Sequence, residues 1–167
     1  APAPKGSRMV AKSGLFMDFS LSLRAAGAGM KVVGLETLEQ QLSFLERMPE
    51  KQLLELLDQA LAEHDQVEAV HQALVDAYLE NDLVALVAMS DEQMGGLTPE
   101  ARDYFVSEGI VARNLRMAES LLPLFENGRV FVAVGSLHLP GESGLVHQLR
   151  KAGFTVEPLP LPFSAAE

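Results

Sequence analysis

The chain has 167 residues, 48% of them apolar, enough for one domain with a buried core. It contains no cysteine, which excludes disulfides, thiolate zinc sites and cysteine nucleophiles. Its 23 acidic and 13 basic residues give a net charge of −10 with the cations dispersed, which argues against nucleic acid, and no apolar run approaches the roughly 20 residues of a membrane span.

Residues 1–14 are rich in Pro, Gly, Ala and Lys and are expected to form a flexible leader. Leu15, Phe19, Leu23 and Ala26 then share one face of an amphipathic helix, which Gly27 and Gly29 end. Val32-Val33-Gly34-Leu35 reads as a short strand, followed by Glu36. Thr37 and Gln40 have capping-box spacing, and Leu38, Leu42, Leu45 and Met48 stripe the helix behind them. Pro49 separates that helix from the next, Glu50 to about Glu63, with a broad leucine face. Asp65 is placed to cap a third helix, and Leu83 to Met89 is a short apolar one. Thr98-Pro99-Glu100 is a strong helix start, with Gly109 interrupting that helix. Val111, Leu115, Ala118, Leu122 and Phe125 give the next stripe.

The five apolar residues Val130–Val134 read as a buried strand, ended by Gly135. A glycine-flanked loop carrying His138 leads to a helix over Leu145, Leu149 and Ala152, closed by Gly153, and Phe154–Glu157 reads as a last strand. The expected fold is therefore α/β and helix-rich, with a small parallel or mixed sheet and a C-terminal βαβ unit. One domain spans residues 15–160, and residues 161–167 form an extended tail within the polyproline-like run that starts at Pro158. Three strands are few for such a domain, so the chain is expected to be part of a longer protein or to share its sheet with another copy.

In α/β proteins, ligands bind beyond the carboxyl ends of the strands. Glu36 and His138 each follow a predicted strand. Side by side, a carboxylate and an imidazole at one rim hold a divalent metal or share a proton. The plainer alternatives are a loop histidine bonded to backbone and an acid that complements a helix N-terminus. Arg113, with Asn114 beside it, is either a solvated cation or a group that binds a carboxylate or oxyanion. His64 and His71 lie too far apart along the helices to share a metal, and no Walker loop or Gly-x-Ser-x-Gly elbow occurs.

Three segments, GLETLEQQ (34–41), ARNLRMAESL (112–121) and FVAVGSLHLPGESGLVHQLRKAGFTV (131–156), resemble the TIKI-related TraB/PrgY/GumN family in order and spacing. The resemblance implies a fold like that of erythromycin-esterase and ChaN domains, with this chain as the C-terminal portion. It also implies a metal-dependent peptide hydrolase site. Gly135 and His138 match the family's second Gly-x-x-His, Glu36 its glutamate and Arg113 its arginine. His138 and Glu36 would then ligate a divalent ion such as Mn, Co or Zn, with Arg113 facing the oxyanion. The family's first Gly-x-x-His has no counterpart here. Two other readings stand beside catalysis: a protein that captures peptides without cutting them, and an interaction half-domain built on residues 50–95. A homo-oligomer and an extracytoplasmic location complete the expectations.

Overall fold

A computed structural model describes residues 16–126 and 128–159; the expected leader and the expected tail lie outside them. The described residues are helical or irregular, with no strand among them, which overturns the expected α/β fold, its sheet and its βαβ unit. The described residues divide into two compact units, one of residues 16–34 with 131–134, the other of residues 35–126, 128–130 and 135–159.

In the first unit, helix α1 (Met17–Gly27) falls where its spacing predicts, and Gly29 takes the left-handed backbone (φ +76°) that follows it. The two apolar stretches expected as strands, Val32–Leu35 and Val130–Val134, place residues 32–34 and 131–134 in this unit but form no ladder. A strand exists only through its partner's hydrogen bonds, and two short ribbons alone are marginal in water. Val32, Val33 and Phe131 accordingly remain exposed.

The second unit holds the other helices. The Thr37 hydroxyl accepts the Gln40 N–H at 3.1 Å, and the Gln40 side chain accepts the Thr37 N–H at 2.8 Å, so the capping box starts α2 (Leu38–Glu46). Helix α3 (Glu50–Ala62) follows Pro49 and buries none of its residues, although a broad leucine face is expected to be covered. A 3₁₀ turn (His64–Gln66) leads into α4 (Val67–Leu79), where Asp65 does not cap. Asp82 caps α5 (Leu83–Gln93) through the Ala85 N–H, and Thr98 caps α6 (Pro99–Tyr104).

Where Gly109 is expected to interrupt the helix, the chain widens into a π-helical segment, Phe105–Val111, and continues as α7 (Ala112–Phe125). The buried face of α7 is Asn114, Met117, Ala118 and Leu121, while Leu115, expected in the apolar stripe, is exposed. The stripe is thus turned by about one residue from the expected one, and an asparagine occupies its first position. A second 3₁₀ turn (Ser136–His138) packs against α5, and α8 (Leu145–Lys151) packs against α7.

The last expected strand, Phe154–Glu157, folds back on α8 instead. The Phe154 N–H bonds the Leu149 carbonyl, the Arg150 guanidinium takes the Val156 carbonyl at 2.8 Å, and the Phe154 ring sits 5.1 Å from that of Phe125. These bonds use backbone groups that a strand would have offered to a neighbour. The core of this unit is small: Met48, Ala77, Leu86, Met94, Ala101, Met117, Ala118, Leu121, Leu145 and the polar Asn114.

Candidate functional site

Three separate pieces of the second unit supply the site. The first is the residue before the α2 capping box, Glu36. The second is the first turn of α7, with Arg113 and Asn114. The third is the 3₁₀ turn that ends in His138. Local chemistry explains each placement. The capping box fixes where α2 begins and hence where Glu36 stands. Gly135 and the His138 N–H close the 3₁₀ turn through a 2.9 Å bond, and Gly135 lies against the imidazole, where a β-carbon would sit 3.5 Å from its ring.

Arg113 and Glu36 form a side-on pair. The guanidinium Nε donates to the two carboxylate oxygens at 3.1 and 3.2 Å, and Nη2 donates to Oε2 at 2.8 Å. The Glu36 side chain is 3% exposed and that of Arg113 19%, so the pair is largely removed from water. Planar, doubly bonded pairing of this kind fixes orientation as well as charge. The expectation of Glu36 as a helix-start acid or metal ligand, and of Arg113 as a solvated or oxyanion-binding cation, meets a carboxylate and a guanidinium occupied with each other.

Beside this pair, His138 Nδ1 and Asn114 Oδ1 lie within hydrogen-bond distance, 2.6 Å apart. Burial, and after it the Arg113 guanidinium, hold the imidazole below its ordinary pKa of 6.5, with Glu36 pulling weakly the other way. The ring is therefore neutral at physiological pH. A neutral imidazole keeps the proton on one nitrogen and leaves the other able to take a proton or bind a ligand. Asn114 is fully buried, and its amide Nδ2 has no hydrogen-bond partner. An unmet buried donor costs about 1–3 kcal/mol, so Asn114 is a poor choice for stability alone.

The structure thus brings Glu36, Arg113 and His138 into one site, although they follow extended stretches and a helix turn rather than strand ends. Asn114 is a member that the sequence marks only as a polar neighbour of Arg113. The available signal was its spacing: Asn114, Met117, Ala118 and Leu121 follow the i, i+3, i+4, i+7 rule of a buried helix face. His64, His71 and His147 contribute nothing here.

A divalent ion does not fit the present donor set. Among the described residues, no group of three or more His, Asp or Glu side chains converges. The site offers one free imidazole nitrogen and one carboxylate whose oxygens Arg113 already holds. Zinc sites in proteins use three or four ligands.

Residues 4–158 match the TraB/PrgY/gumN family. The chain is also 27% identical over 176 aligned positions to a Xenopus tropicalis protein named metalloprotease TIKI2, covering 90% of this chain and 34% of that protein. It therefore spans about a third of the length of that curated relative. No solved structure matches.

Proposed function

The chain belongs to the TraB/PrgY/gumN family, and from that premise we propose that it carries part of a peptide-hydrolysing site formed by Glu36, Arg113 and His138. The observation that carries this reading is the meeting of a neutral imidazole with a guanidinium–carboxylate pair from elements about a hundred residues apart in the chain. In this reading His138 accepts a proton at Nε2 from a water that attacks the peptide carbonyl carbon, and returns it to the amine as the C–N bond breaks. Arg113, kept in place by Glu36, offers its remaining Nη1 hydrogens to the peptide carbonyl oxygen. The relative's name supplies the expectation of a metalloprotease. Donors beyond those described here would have to complete any metal site, and the two steps above use only side chains of this chain. An extracytoplasmic location goes with this reading, and fractionation of the source cells tests it.

The short donor set favours a second reading, capture of a peptide without cleavage. Both are tested together. A library of quenched fluorescent peptides is incubated with the protein, with and without Mn²⁺, Co²⁺ or Zn²⁺. Cleavage lost in His138→Ala and Arg113→Gln supports the hydrolase. Binding without cleavage, unaffected by chelator and lost in Arg113→Gln, supports capture. Neither cleavage nor binding overturns both readings.

A further inference from the structure

We propose that Asn114 is a positioning residue that holds the His138 ring in one tautomer, proton on Nδ1 and lone pair on Nε2. Its functional weight rests on the reading above, in which His138 works through Nε2; the tautomer itself can be measured whether or not a peptide is cut.

The case is geometric. Asn114 is fully enclosed, in the first turn of α7, and its Oδ1 meets Nδ1 at 2.6 Å. A buried carbonyl-type oxygen at that distance has one good partner, an N–H, so the ring must place its proton there. Met117, Ala118 and Leu121 on the same face are also buried, so Asn114 lies in a packed interior. The other end of the amide is the telling part. Nδ2 is enclosed with no partner, so the arrangement satisfies the histidine and leaves the asparagine half satisfied. A leucine of similar size would fill this space with no unmet donor. A residue kept for packing would be apolar here; a residue kept for the imidazole would be an acceptor.

The neighbours sharpen the role. Arg113 is the preceding residue of the same helix turn, and Glu36 fixes its guanidinium beside the ring. One turn of α7 therefore carries both the partner of His138 Nδ1 and the cation whose charge acts on the ring. Neither Glu36 nor Arg113 hydrogen-bonds the ring among the described residues, which leaves Asn114 as the group that selects the tautomer.

The test is ¹⁵N NMR of the imidazole nitrogens in the whole chain at a pH where the ring is neutral. Wild type should show Nδ1 as a protonated nitrogen and Nε2 as an unprotonated one. Asn114→Asp retains an acceptor and should retain that pattern. Asn114→Leu removes it, and the two nitrogens should move toward the averaged shifts of free imidazole while near-UV circular dichroism remains native. A wild-type ring with its proton on Nε2 overturns the proposal. So does an Asn114→Leu protein whose tautomer is unchanged. If Asn114→Leu does not fold, wild type and Asn114→Asp decide: loss of the pattern in Asn114→Asp also overturns it. A correct tautomer in a protein that neither cleaves nor binds peptides would refute the functional reading and leave the role of Asn114 standing.

Discussion

Arg113 and Glu36 bind each other so completely that each is costly to remove alone. A buried ion pair is weak evidence for stability, but an orphaned half of one is strongly destabilising, by about 3 kcal/mol. Arg113→Met should lower the urea unfolding free energy by that order, and Glu36→Gln with Arg113→Met by less than the two single losses combined; equilibrium unfolding of the four proteins checks this. His138 gives a pH signature. Its folded pKa lies below the ordinary 6.5, so the unfolded chain binds the proton first as pH falls. The contribution of the neutral ring to stability is full above that ordinary value and is lost as pH drops through the folded one. Replacing Arg113 by Gln removes the positive neighbour, so the His138 titration followed by ring C–H resonances should move upward. The three site residues were legible in the sequence as positions, through their likeness to family segments. Their pairing was not, because contacts across some 77 and 24 residues leave no local pattern.

At the scale of the elements, two short devices hold the site in register. The Thr37–Gln40 box stands directly behind Glu36, and Thr37→Ala should cost about 1 kcal/mol in thermal or chemical unfolding. Gly144 starts α8 in an ordinary extended conformation, yet a β-carbon there would run into the carbonyl oxygens of Pro140 and Leu139. Gly144→Ala must therefore push the loop after His138 away, at a cost of about 3 kcal/mol or more. The same unfolding assay, with the imidazole resonances as a local reporter, checks it. Helix starts were legible here because caps are chemistry between residues three apart: Thr37 and Thr98 both sit where the spacing puts them. The face of α7 was not, because Asn114 takes a place that hydrophobic patterning assigns to an apolar side chain.

Over the whole molecule, the expectation of a sheet failed for a stated reason: valine-rich runs show a preference for extended backbone, and only neighbours turn that preference into strands. Val32-Val33 and Val132–Val134 are irregular and without a ladder, and Phe154–Val156 gives its backbone groups to α8. Amide exchange should reflect this. The N–H groups of Met117–Leu121 should exchange slowly, and those of 32–34 and 132–134 within the dead time of a manual experiment. Slow exchange in the two valine runs would show a ladder that the structure lacks. The wide segment Phe105–Val111 has a consequence for comparing such chains. A π turn holds one residue more than the α turn it replaces, and each residue in an α-helix advances the azimuth by about 100°. A kindred chain shortened by one position between 105 and 111 would wind regularly there and keep the next turn toward the histidine, because the wider turn only absorbs the extra residue. In an alignment, a single gap at that place is therefore compatible with an intact site, and the substitutions at Glu36, Arg113, Asn114 and His138 are the ones to read.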